Sequence, residues 1–223
     1  MSSVFLYGKY LSTNRESQIM KTALVLGCSH AAGTELGTEE FGRQHSFPVL
    51  VAQSLGYAVT NLAQPGSSND SMFRKFLESA QGFDLVLTAW TGVSRSEIYW
   101  DNRWQPLLHS RPPTSMSHYE KQWCVYHTHD EVGRLNKIKN IVALNAIAQV
   151  PVINFDTHWP VWNFEFDAGI VWPMATQDNF LDWCVRQNRT KLPRGHWDVD
   201  AHRDYAELAL DQIRSQWPEV LEQ

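Results

Sequence analysis

The sequence is poor in the features that usually announce a partner. It has three cysteines, Cys28, Cys124 and Cys184. An odd number so widely spaced makes neither a disulfide framework nor a metal-ligand pattern, and a reducing compartment such as the cytoplasm is expected. No segment approaches the ~20 consecutive apolar residues that span a bilayer, so no membrane partner is expected. Basic excess is also missing: the formal net charge is −5. That argues against nucleic acid, because phosphate binding needs a basic face. No His-Xaa-Xaa-Xaa-His helix pair occurs. His109, His118, His127 and His129, with Asp130, invite a metal reading, but histidines scattered through a loop are more often polar surface. Neither a metal nor another cofactor is expected.

The 223 residues suffice for one domain with a substantial core. We expect an N-terminal arm over residues 1–21 and a single domain over 22–223. The hydrophobic share of 43% and charged share of 19% are ordinary for a globular chain. Met20 opens Met-Lys-Thr-Ala-Leu-Val-Leu-Gly-Cys, which resembles a short lipoprotein signal. Its apolar core is shorter than the ~7–15 residues of a signal h-region, and the stretch reads better as a first strand. Met20 is an alternative start under this reading. The ten tryptophans gather at Trp90, Trp100, Trp104 and Trp123 and again at Trp159, Trp162 and Trp172. Some are expected to line a surface or cleft, because the indole N–H must be satisfied wherever the ring is buried.

The run Ala23-Leu24-Val25-Leu26 stops at Gly27, has strand length and shows no polar alternation. That is the signature of a parallel strand buried on both faces. Ligands of α/β proteins bind at the carboxyl ends of such strands, so Ser29 stands where a nucleophile would be presented. The alternative is a turn and helix cap. Glycines at 33, 37 and 42 suggest loop. A helix is expected over Phe47–Leu55, a strand over Tyr57–Leu62, a helix over Ser71–Ala80 and a strand over Asp84–Ala89. Residues 98–130 are rich in Trp, Tyr, His and Pro without a clear period, and we read them as an insertion over the carboxyl edge of the sheet. Glu131–Gln149 is a helix, Pro151–Phe155 a fourth strand, and Asn179–Arg186 and Ala201–Trp217 are helices. The repeated βα pattern implies a three-layer α/β/α fold with a mostly parallel, flavodoxin-like sheet of about five strands.

Gly27-Cys28-Ser29 after the first strand resembles the nucleophile motif of the SGNH (GDSL-type) hydrolase superfamily, with Cys28 in place of the usual Asp. The variant looks like a divergent branch met in phage and bacterial proteins. The resemblance implies that Ser29 is the nucleophile and that its own backbone N–H contributes to the oxyanion hole. It implies that Gly66, in the loop after the second strand, donates a second N–H. The third motif, Gly-Xaa-Asn-Asp, is replaced by Trp90-Thr91-Gly92, so Asn69 or Thr91 would supply the remaining donor. Asn69 is also a candidate helix N-cap. The family's histidine precedes the last helix. His196 fits that loop, and His202 is the alternative base, although a residue inside the helix more often packs or caps. The acid expected three residues earlier is absent: Pro193 and Val199 occupy those positions. Asp198 and Asp200 are read as helix caps.

The resemblance implies a serine esterase or deacylase acting on a small acyl ester, with acetyl on a carbohydrate as the example, through an acyl-Ser29 intermediate. The aromatic insertion would form a lid or sugar-stacking wall, and the partner would be a small-molecule or carbohydrate substrate. The second reading is a catalytically degenerate binding or structural module of the same fold, a homo-oligomer or virion-associated assembly component. A third makes Cys28 a thiol nucleophile, with its side chain diverging from that of Ser29.

Overall fold

The computed structural model describes residues 20–79, 82–108, 114, 117–118, 120–122, 130–158, 170–172 and 179–220. Residues 1–19 of the expected arm, most of the stretch 109–129, and Cys124, Trp123, Trp159 and Trp162 lie outside them.

Strand β1 (Thr22–Gly27) is flanked by β2 (Ala58–Asn61) and β3 (Leu85–Trp90), and β6 (Val152–Asp156) completes the order β2-β1-β3-β6. All three pairings are parallel. Among the described residues the sheet has four strands, and an isolated parallel bridge joins Val171 to Ile153 of β6. Alternate residues of β1 serve opposite faces: Ala23 and Val25 enter one core, Leu24 and Leu26 the other. Both faces being apolar, the strand reads as a continuous hydrophobic run. Helices α2 (Phe47–Ser54) and α6 (Val199–Gln216) cover one face. Helices α3 (Asn69–Ser79) and α4 (Asp130–Ile147) cover the other, meeting Trp90 with Met72, Phe76, Ile141 and Leu144. Helix α5 (Phe180–Arg186) brings Phe180, Trp183 and Cys184 into the first core.

Two stretches differ from the sequence reading. Residues 39–45 form helix α1 (Glu39–His45), capped by the Thr38 hydroxyl, although Gly42 lies within it. Gly42 is there for contact: a Cβ on it would sit 2.2 Å from the Gly33 carbonyl oxygen. The start of the expected insertion is an antiparallel hairpin, β4 (Arg95–Trp100) and β5 (Arg103–Leu108). Its two-residue turn, Asp101-Asn102, has positive φ at both positions, the geometry that matches strand twist. Tyr99, Trp100 and Trp104 on this hairpin are exposed, while Trp90, Trp172, Trp183 and Trp197 are buried. The Trp90 Nε1–H donates to Asn154 Oδ1 at 2.9 Å, which meets the demand of a fully buried indole.

Candidate active site

Chain and packing place Ser29 at the carboxyl edge of the sheet. After Gly27 the backbone folds back at once, with Ala32 N–H donating to Cys28 O and Thr34 N–H to Ser29 O. A Cβ on Gly27 would come within 2.4 Å of the Ala31 Cβ, so only glycine permits this turn. Ser29 keeps 7% exposure while Cys28 beside it is fully buried. Cys28 Sγ lies 3.6 Å from Thr157 Oγ1, just past the end of β6. Burial raises the Cys28 thiol, but the His158 imidazole first and then the Arg95 charge outweigh it and hold it well below the ordinary thiol range. Cys28 is fully buried and its sulfur faces Thr157, whereas Ser29 keeps some exposure, which favours Ser29 over the thiol reading.

A carboxylate reaches His196 from the turn that follows Ser29, not from the third residue before it. Glu35 Oε2 lies 2.6 Å from His196 Nδ1, and the carboxylate also accepts the backbone N–H groups of Arg194 and His196. Both side chains are largely buried, at 12% and 16% exposure. Burial raises the Glu35 carboxyl, yet the His196 hydrogen bond and the two backbone donors more than offset it, so Glu35 is held below the usual carboxylate range and ionised at neutral pH. An anion facing Nδ1 fixes the proton there and leaves Nε2 with its lone pair, as a general base requires. Glu35 sits at φ +71°, a strained conformation for a side-chain-bearing residue. The His196 loop is held by Leu192 N–H donating to His196 O at 2.7 Å and by Asp198, which caps α6 through Ala201 N–H. Asp200 pairs with Arg203.

The second and third loops are joined. Gln64 N–H donates to Gly27 O, tying the Gly66 turn to the end of β1. Gly66 occupies φ +81° in that turn. The cap of α3 is Ser68, whose hydroxyl accepts Ser71 N–H. Asn69 instead clamps the backbone of the third loop. Its Oδ1 accepts Thr91 N–H at 3.0 Å and its Nδ2 donates to Thr91 O at 3.3 Å. One amide hydrogen of Asn69 is left over. The Thr91 hydroxyl is buried without a hydrogen-bond partner, which makes it the stronger oxyanion-donor candidate of the two.

His202, the alternative base, is fully buried in α6, and its Nδ1 accepts Phe47 N–H at 3.1 Å. Burial lowers it to about 3, so it stays neutral and packs between Phe47 and Phe180. Two histidines that the sequence reading gave no role flank the site. The His30 ring centroid lies 5.1 Å from both His196 and His158. Since the Thr157 hydroxyl donates to Trp90 O, His158 Nδ1 must donate to Thr157 Oγ1. No spacing in the sequence connects these groups, or Glu35, to Ser29. Among the described residues no cluster of three or more His, Cys, Asp or Glu could hold a metal. His109, His127 and His129 lie outside the described residues. None of the described helices is long and apolar enough to cross a membrane.

No family model and no curated protein matches the chain. Solved structures do. A carbohydrate esterase family 2 enzyme with a carbohydrate-binding domain, from Corynascus thermopiles (Myceliophthora fergusii), aligns over 89% of this chain and 67% of its own at TM-score 0.51 and 10% identity. A protein named as lipolytic and of the G-D-S-L family, from Desulfitobacterium hafniense, aligns over 86% of this chain and 98% of its own at TM-score 0.51 and 12% identity. A lipase/acylhydrolase from Enterococcus faecalis aligns over 87% and 96% at TM-score 0.50 and 13% identity. With its parallel sheet and flanking helices, the chain carries the SGNH-hydrolase fold.

Proposed function

We propose that this protein is a serine hydrolase that cleaves small acyl esters through an acyl-Ser29 intermediate. The observation that carries the reading is the Glu35–His196 contact of 2.6 Å beside the Ser29 turn. His196 Nε2 takes the Ser29 proton as Oγ attacks the ester carbonyl. The negative oxygen that develops is met by the backbone N–H groups of Ser29 and Gly66 and by the Thr91 hydroxyl, with the spare Asn69 amide hydrogen as the alternative donor. His196 returns the proton to the departing alcohol. It then takes one from water, whose oxygen attacks the acyl carbon, and gives it back to Ser29 as the carboxylic acid leaves. Glu35 holds the imidazole in the working tautomer throughout.

An acetyl group on a carbohydrate is the substrate class we favour. It is supported by the exposed Tyr99, Trp100 and Trp104, whose rings suit stacking on sugar faces, and by the carbohydrate esterase among the proteins of like fold. The test is acetate release from 4-nitrophenyl acetate and from acetylated xylan by wild type and Ser29→Ala. Release that depends on Ser29 upholds the reading. Equal rates, or none from a folded wild type, would leave a non-catalytic module of this fold.

A further inference from the structure

The turn that presents Ser29 uses most of its own carbonyls. Ala32 N–H donates to Cys28 O, Thr34 N–H to Ser29 O, Gly33 N–H to His30 O and Leu36 N–H to Gly33 O. The Ala31 carbonyl goes elsewhere. It accepts Asn61 Nδ2 at 2.8 Å, from the last residue of β2. Acyl transfer as described gives Asn61 no role.

The Asn61 amide is engaged at both ends. Its Nδ2 also donates to Arg43 O at 3.1 Å, in the last turn of α1, where a helix carbonyl has no partner within its own helix. Its Oδ1 accepts Ala63 N–H at 3.0 Å, at the start of the loop that runs to Gly66. Arg43 reaches back from α1 to the same loop. Its Nη1 donates to Asn61 O and to Ala63 O, each at 3.0 Å, while Glu39 holds its Nε and Nη2. Helix and nucleophile turn also touch directly at Gly42 and Gly33, where neither backbone leaves room for a Cβ.

An Asx-turn accounts for the Oδ1 bond alone. Asparagine often accepts the N–H two residues on, and aspartate or serine would do the same. The amide nitrogen is what that explanation leaves over. Two carbonyls face it, so aspartate at 61 would set a carboxylate against Ala31 O and Arg43 O. An aliphatic side chain would leave both carbonyls and the Ala63 N–H without their partner. Among side chains of this length, only an amide supplies two donors at one end and an acceptor at the other.

The segments joined in this way are the two that acyl transfer requires in register. One carries Ser29 and, four residues past Ala31, Glu35. The other carries Gly66, three residues past Ala63. We propose that Asn61 is a positioning residue for the acyl-transfer site. Its amide, backed by Arg43, ties the Ser29–Glu35 turn to the Gly66 loop and fixes the gap between the Ser29 and Gly66 N–H groups. The proposal rests on the reading of Ser29 as nucleophile and deepens it. Oxyanion donors act through preorganisation, and a displacement of about 1 Å can cost ~10²-fold in rate. The ground-state ester makes weaker demands on that gap, so the loss falls on kcat rather than KM.

The experiment uses Asn61→Asp, which exchanges the amide nitrogen for oxygen at constant size. kcat and KM on 4-nitrophenyl acetate are measured for wild type and variant, with active protein counted by fluorophosphonate titration of Ser29. The expected result is a kcat per titrated Ser29 lower by about tenfold to 10²-fold, with KM within about threefold of wild type. A tie that served the fold alone would lower the thermal midpoint and the titratable fraction but leave kcat per titrated Ser29 at the wild-type value. That result overturns the proposal, as does a loss carried by KM alone. Asn61→Ser keeps an acceptor for Ala63 N–H but is too short to bridge to Ala31 O, and it carries the same prediction should Asn61→Asp not fold. If wild type hydrolyses no ester, the hydrolase reading fails on its own, and the ring-nitrogen NMR resonances of His196 decide the positioning separately. A single Nδ1–H tautomer in wild type and a mixture in the Asn61 variant uphold it, because Glu35 then depends on the tie. Any other pair of spectra rejects it.

Discussion

At the scale of the single residue, the proposed mechanism makes His196 depend on Glu35, its hydrogen-bond partner at 2.6 Å. Removing its charge while keeping its size leaves Nδ1 without an anion to fix the tautomer. Glu35→Gln is predicted to lower kcat on short acyl esters by about 10²-fold or more. A rate within about threefold of wild type would show that His196 works without Glu35. The family pattern points to the third residue before the histidine, where Pro193 stands. Glu35 lies 161 residues away in sequence, in a turn whose φ of +71° no periodicity announces. Ser29 and His196 were legible as candidates because each adjoins a well-marked element, the first strand and the last helix. Asn69 was legible as a residue but not in its role, since a side-chain clamp on the Thr91 backbone leaves no trace in spacing.

At the scale of the element, α6 and α1 make testable demands. His202 stays neutral in the folded protein down to about pH 3, whereas an unfolded chain protonates histidine near 6.5. The folded state thus binds fewer protons across that window. Stability is complete above about pH 6.5 and is lost as pH falls towards 3, by an amount on the order of several kcal/mol. Depression of the Glu35 carboxyl acts in the same direction at the acid end. Urea midpoints measured from pH 7.5 to 4 should fall steadily, and more shallowly in His202→Gln, which keeps an acceptor for Phe47 N–H. A midpoint flat with pH would contradict the burial of neutral His202. In α1, Gly42→Ala forces a Cβ onto the Gly33 carbonyl and is predicted to cost about 2 kcal/mol or more, read as a lowered thermal midpoint. The parallel strands and the long helices were legible because their apolar runs and stripes state their own period. Helix α1 was hidden by a glycine kept for close approach. The hairpin was hidden because Asp101-Asn102 lacks the Gly that usually marks such a turn.

At the scale of the whole molecule, the site exists only when the two sides of the sheet are assembled. Lys137 of α4 and Asp156 of β6 form a fully buried ion pair, with contacts of 2.6 and 2.8 Å, and Lys137 Nζ also donates to His158 O. This clasp ties α4 to the loop that carries His158, while Gly133 ties the same helix to Val93, just ahead of β4. Removing one partner strands a buried charge, so Lys137→Met should cost about 3–5 kcal/mol in equilibrium unfolding, and Lys137→Met/Asp156→Leu should recover much of it. Equal losses in single and double variants would show that the pair is not coupled. Glu35 from the turn after Ser29 and His196 from the loop before α6 meet through the same assembly. The most direct measurement is intact-mass spectrometry after treatment with a fluorophosphonate probe, on wild type, Ser29→Ala, His196→Ala and Glu35→Gln. The account predicts a single adduct on wild type, none on Ser29→Ala or His196→Ala, and slowed labelling of Glu35→Gln. An unlabelled but folded wild type, or labelling that persists in Ser29→Ala, would contradict it.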